Sequence, residues 1–327
     1  MVRALRSPLP KKRPLAFDAV IFDLDNVLVD TRRSYLEAIR WTVDLYLLHG
    51  SVPFFRAPKK NSPQILSLED VEEFKLLGGF NDDWDCCYGL LVYLLNLPVK
   101  GRTLKDLKAA VDVKDFVASI KKRPLGVPGI VRRLGRPSQV TIEKIARIFQ
   151  EIYLGKNLFE RIEKKEAAFW QRRGLIHKER LIFRISSLQK LKKNGVAMGI
   201  ATGRSRFEAL FALRHFHIQE FFNAITTMDD VRKAEKEMRL SLRKPHPFSI
   251  LETAKKIGKK KRFVYVGDLP DDILATTRAS EEILIASAAF LACTPNSASA
   301  HQAIEKTKPD FTFSKPSQLH SIVERGR

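Results

Sequence analysis

The strongest constraint on the fold is a set of short, uninterrupted apolar runs that end in polar residues. The first, AVIFDLD, runs from Ala19 to Phe22 and passes directly into Asp23 and, after Leu24, Asp25. VAMGIAT ends at Thr202, and RFVYVGD ends at Asp268, with Asp271 and Asp272 in the turn that follows. FNAITTM, EILIASA and DFTF are weaker members of the set. Apolar runs without polar alternation predict strands buried on both faces, as in parallel sheets. Between them lie helical patterns: RSRFEALFALRHF, HPFSILETAKKIG closed by Gly258, and PDDILATTRAS. Such alternation predicts an α/β fold with a doubly wound parallel sheet.

Residues 31–177 read differently. SYLEAIRWTVDLYLL, EDVEEFKLLGG, DWDCCYGLLVYLLN, SQVTIEKIARIFQEIYLG and LFERIEKKEAAFW all place apolar residues at helical spacing, and Pro/Gly-rich connections such as KKRPLGVPG are expected to break the helices. This predicts an α-helical domain over 31–177, inserted after the first strand of a core formed by 17–30 and 178–327. Hinges are expected near Asp30–Arg33 and Gly174–Glu179. Residues 1–16 read as a basic amino-terminal tail.

Composition narrows the function classes. No apolar run approaches the roughly 18 residues of a membrane span, and no segment resembles a secretory signal. Cys86, Cys87 and Cys293 lack the spacing of a disulfide framework or a zinc site, which predicts reduced packing residues in a cytoplasmic protein. The net charge of +21 admits a nucleic-acid partner or a field that attracts anionic substrates. The basic runs are scattered, however, at Lys11, Lys121, Arg132 and Lys255. That dispersion favours solvated helix faces over a nucleic-acid groove.

Ligands of open α/β sheets bind outside the carboxyl ends of the strands. Asp23, Asp25, Thr202 and Asp268 all fall at such ends, and Lys244 lies in RKPHP before a helix. Adjacent carboxylates are tolerable around a divalent cation, and an all-oxygen site suits Mg2+. One aspartate can then attack phosphorus while another moves protons. A hydroxyl, an ammonium and backbone N–H groups stabilise the phosphoryl oxygens.

DLDNVLVD, ATGR, KPHP and GDLPDD, in that order, resemble the motifs of the haloacid dehalogenase superfamily, and the helical insert resembles its first type of cap domain. The resemblance implies a Rossmann-like core and a Mg2+-dependent phosphatase branch acting through an aspartyl-phosphate. It implies roles residue by residue. Asp23 matches the nucleophile and a metal ligand. Asp25 matches the general acid/base and offers its backbone carbonyl to the metal. Thr202 and Gly203 match phosphate binders, and Lys244 the lysine that steadies nucleophile and phosphate. Asp268 and Asp272 match the metal acids. Where the family usually has glycine after the second aspartate, this chain has Asn26, the non-glycine residue that best tolerates positive φ.

Substrate choice is less legible. In GGFNDDWD, Asn81 is expected to cap a helix whose first turn holds Asp82, Asp83 and Asp85. Alternatively, Asp82 or Asp85 would hold a substrate amine or hydroxyl beneath Trp84. Arg32 and Arg33 could meet a second anionic group. The expected substrate is a small phosphorylated metabolite. A phosphotransferase or mutase on the same core remains an alternative, as does a nucleic-acid-binding protein or nucleic-acid end phosphatase. The oligomeric state is not readable.

Overall fold

The computed structural model describes residues 16–49, 64–80, 82–99, 103–121, 125–258, 261–293 and 298–325. Most of the expected basic tail, and Asn81, lie outside these residues. The chain divides into two compact units, Met1–Val29 with Leu181–Arg327, and Asp30–Arg180.

The strands are β1 (Ala19–Phe22), β2 (Val29–Asp30), β3 (Arg180–Leu181), β4 (Ala197–Ala201), β5 (Ala224–Thr226), β6 (Phe263–Gly267), β7 (Ile285–Phe290) and β8 (Phe311–Phe313). Six of them form one sheet in the order β5-β4-β1-β6-β7-β8, and every pairing in it is parallel. β2 and β3 pair separately. All four residues of β1 are fully buried. Val20 and Phe22 join a core with Leu188 and Leu191 of helix Ile185–Lys193 and with Ile322 of helix Gln318–Arg325. Ala19 and Ile21 face the opposite layer, beside Ile250 of helix Phe248–Ile257 and Ala275 of helix Pro270–Ala279. Helices on both faces are what the unbroken apolar runs require, since neither face can be polar. The sheet is the doubly wound α/β architecture expected.

The chain leaves β1 for β4 and β5 on one side, then crosses to β6, β7 and β8 on the other. The strand order therefore reverses beside β1, which is where open α/β sheets form a crevice. Phe22 is level with both Ile200 and Val266. Asp23, Thr202 and Asp268 thus follow their strands at the same edge.

The unit Asp30–Arg180 is helical. Its longest helices are Tyr35–His49, Asp83–Leu95 and Ile142–Leu154. The first packs against both others. Two sequence expectations change here. LFERIEKKEAAFW is helical only to Glu163; Lys164 has a left-handed backbone (φ 56°) that closes the helix. The chain beyond is held instead by buried Glu151, which accepts hydrogen bonds from the Phe169 and Trp170 amides at 2.6 and 3.1 Å. The GVPG of KKRPLGVPG begins a helix, Gly126–Leu134, rather than only breaking one. Pro128 falls in its first turn, where the missing N–H has no helical partner to lose. The three cysteines form no disulfide and are buried, as packing residues should be. Among the described residues, no helix is long and apolar enough to cross a membrane.

Candidate active site

The site is built at the carboxyl edge of β1, β4 and β6. The Asp23 amide donates to Val266 O at 2.8 Å, carrying the β1–β6 pairing one residue past the strand. A tight turn follows. Leu28 N and Val29 N donate to Leu24 O, and Asn26 N donates to Val29 O. Asn26 has φ 54°, so asparagine occupies the left-handed position the turn needs. At the end of β4 the Thr202 amide donates to Thr226 O at 3.0 Å, and the Thr202 hydroxyl accepts from the Arg204 amide at 3.1 Å. A Cβ at Gly203 would meet no atom within 4 Å.

Lys244 arrives from the segment before helix Phe248–Ile257. Its Nζ lies 3.0 Å from Asp23 Oδ1, 2.8 Å from Asp272 Oδ1 and 2.6 Å from the Tyr265 hydroxyl. The Tyr265 hydroxyl donates to Asp272 Oδ1 at 3.0 Å, while Asp272 Oδ2 accepts from the Asp268 and Leu269 amides, both at 3.1 Å. Asp272 can fold back so far only because Gly267 has no side chain. A Cβ there would sit 2.3 Å from Asp272 Cβ.

Oxygens of Asp23, Asp268 and Asp272 lie within 4.8 Å of one another, in a buried setting. Burial pushes the Asp23 carboxyl up to about 7; Asp272 and Asp25 add to the rise and Lys244 opposes it. Asp268 is held well above the ordinary carboxylate range by burial, then by Asp272 and Asp23. Burial works against the Lys244 charge, but Asp23 and Asp272 outweigh it and raise its pKa well above normal. One ammonium among three close acids leaves negative charge uncompensated, and a hard divalent cation would supply the balance. The donor set fits such an ion. Asp272 already spends its roughly four acceptor positions on Lys244, Tyr265 and two amides. The Asp268 carboxylate accepts no hydrogen bond among the described residues, and Lys244 engages only one oxygen of Asp23. Asp23 and Asp268 therefore have the most oxygen left to offer a metal, with Asp272 the third carboxylate of the group.

Two residues of this site carried no signal that the sequence argument used. Tyr265, a fully buried strand residue, bridges Lys244 and Asp272. Arg204 ends the ATGR motif, is 2% exposed and ion-pairs with Asp25 at 2.6 Å. The GR that closes ATGR and the tyrosine in VYVGD were the available clues.

The residues considered for specificity lie in the helical unit. Asp82, rather than Asn81, caps helix Asp83–Leu95, accepting from the Trp84 and Asp85 amides at 2.9 and 3.4 Å. Asp83 pairs with Lys75 at 2.7 Å, and Asp85 lies in the first turn, where the helix dipole favours an acid. Trp84 is half-buried. Arg32 forks onto Asp30, at 3.0 Å through Nε and 2.8 Å through Nη2.

Comparison with known proteins gives the family. The family model for a haloacid dehalogenase-like hydrolase matches residues 17–279, and the chain belongs to that family. Pyrophosphatase PpaX of Bacillus pumilus is 31% identical over 140 residues, 42% of this chain and 57% of that protein. The chain thus spans little more than half the length of the first curated relatives it matches. Phosphatase Tt82 from Thermococcus thioreducens superposes with a TM-score of 0.55 at 25% identity, over 80% of this chain and 88% of that one. A Northeast Structural Genomics Consortium target superposes with a TM-score of 0.65 at 19% identity, over 93% and 98%, which establishes the fold alone.

Proposed function

We propose that the chain is a Mg2+-dependent phosphatase acting on a small phosphate monoester through an aspartyl-phosphate. The observation that carries this is the convergence of Lys244, Asp23 and Asp272 within 3.0 Å contacts, beside Asp268, at the switch point of the sheet. Family membership and the names of the relatives, a pyrophosphatase and a phosphatase, support it.

In this mechanism the Asp23 carboxylate attacks phosphorus, and the bond to the leaving oxygen breaks. Asp25 gives its proton to that oxygen. Asp25 then takes a proton from water as the water oxygen bonds phosphorus, the Asp23–phosphate bond breaks, and inorganic phosphate leaves. Lys244 orients Asp23 and stabilises phosphoryl charge, while Thr202 and the Gly203 amide serve as donors. A bound Mg2+, held by Asp23 and Asp268, would neutralise charge on the phosphoryl oxygens. In this reading residues 31–177 are the domain that selects the substrate.

The test is phosphate release from p-nitrophenyl phosphate and from a metabolite panel that includes pyrophosphate. Saturable release, abolished by EDTA and restored by Mg2+, is expected. Activity retained by Asp23→Asn would overturn the assignment. A preference for amine-bearing esters would favour a substrate contact from the Asp82–Asp85 turn.

A further inference from the structure

Arg204 is a buried cationic side chain of the core unit to which the proposed mechanism gives no task. Its guanidinium is fully buried, an expensive placement for a charge that must be matched by a specific partner. One such partner is Asp25, 179 residues away in sequence, and Arg204 also acts on the buried Glu208, whose carboxyl pKa it lowers against the rise from burial. Arg204 Nε and Nη2 both contact Asp25 Oδ1, at 2.7 and 2.6 Å. The backbone of Arg204 is fixed as well. Its amide donates to Thr202 Oγ1 at 3.1 Å, and its carbonyl accepts from Met228 N at 2.8 Å. Asp25 itself sits on the turn set by Asn26, and its side chain keeps 28% exposure. A buried, doubly anchored cation thus grips one oxygen of a partly exposed acid.

We propose that Arg204 is a positioning residue for the leaving-group step, orienting Asp25 through Oδ1. This rests on the phosphatase assignment above. With Oδ1 held by two short contacts from the guanidinium, Oδ2 is the oxygen left to exchange a proton with the leaving group. As the bond between phosphorus and the leaving oxygen breaks, Oδ2 hands a proton to the leaving oxygen and Asp25 becomes anionic. The Arg204 contact strengthens at that moment, because it then meets a full negative charge. An interaction stronger in the transition state than in the ground state lowers the barrier. A residue that only anchored the turn after β4 would have no such dependence on the leaving group.

The discriminating experiment compares two aryl esters with the full-length protein and Mg2+. p-Nitrophenyl phosphate has a leaving group that departs without a proton, and phenyl phosphate has one that needs protonation. Arg204→Met is expected to lower kcat for phenyl phosphate about tenfold more than kcat for p-nitrophenyl phosphate, with KM for the two esters moving together. Arg204→Lys, which keeps the charge but loses the two-pronged grip, is expected to fall between the wild type and Arg204→Met. Circular dichroism and thermal melts check folding, and the Lys variant carries the same comparison if the Met variant does not fold. Equal losses on the two esters would overturn the positioning role while leaving the phosphatase assignment intact. A wild-type protein that releases phosphate from neither ester would overturn the phosphatase assignment itself, and the role of Arg204 with it.

Discussion

Glu151 of the helical unit and Asp268 of the core unit are both buried carboxylates, at 0% and 7% exposure. Their surroundings are opposite. Glu151 accepts from Arg147 Nε at 2.6 Å and from the Phe169 and Trp170 amides. Glu179 is treated similarly, with the Ser34 and Tyr153 hydroxyls at 3.0 and 2.9 Å. Asp268 accepts no hydrogen bond among the described residues and faces other acids. A buried charge that is fully hydrogen-bonded holds a fold together; one left among like charges costs stability and marks a site for a ligand. Burial alone separates neither case. The partner list does.

The largest test of this contrast is Asp23→Asn. It should reduce phosphate release by about 10^4-fold or more, while the melting temperature stays level or rises. The neutral amide removes a carboxyl whose pKa burial has pushed up to about 7. A clear drop in melting temperature would break the comparison. Glu151→Ala should do the reverse, costing about 3–5 kcal/mol in denaturant unfolding by stranding Arg147 and two amides. Gly174→Ala tests the packing beside Glu151. A Cβ there would lie 2.2 Å from the Leu154 backbone, so a loss of about 1–3 kcal/mol is expected from the same measurement.

Asp44 sharpens the contrast further, because it is a helical-unit acid that is only half satisfied. Its Oδ1 accepts from Ile65 N at 3.2 Å, whereas Oδ2 has no hydrogen-bond partner among the described residues, and burial pushes its pKa up to about 7. The folded state therefore keeps a proton that the unfolded chain releases near its ordinary value of 3.8. Stability contributed at low pH falls as pH rises from near that value towards about 7, by at most about 1.4 kcal/mol per pH unit. Melting curves should show this slope in the wild type and a flatter one in Asp44→Asn. The smallest effect belongs to Arg32→Ala. Its pair with Asp30 has side chains 47% and 21% exposed, so its loss should cost less than about 1 kcal/mol in urea unfolding.

Legibility differed between the units in the same way as their acids. β1, β4 and β6 were readable because a strand covered on both faces must be apolar at every position. Helix Met228–Met238 was not read. It has a single fully buried residue, Val231, and starts from a capping box between Thr227 and Asp230 rather than from an apolar stripe. The end of the LFERIEKKEAAFW helix was overread because its apolar spacing continues past Glu163, while the backbone there is claimed by Glu151. At the site, Asp23, Asp25, Thr202, Lys244 and Asp268 could be picked out because each stands at a strand end or in a recognisable motif. Tyr265 could not, since its hydroxyl works from an ordinary strand position.

The layered sheet, the helical insert and the residue types at the candidate site could be read from the chain alone, because hydrophobic periodicity and motif order are local properties. Only the tertiary structure decided how each acid spends its lone pairs: Asp272 on Lys244, Tyr265 and two amides, and Asp25 on Arg204. Hydrogen bonds are short and directional, and partners far apart in sequence meet only once the sheet has set its register. The difference between an acid that braces the fold and one that is free to react appears at that stage.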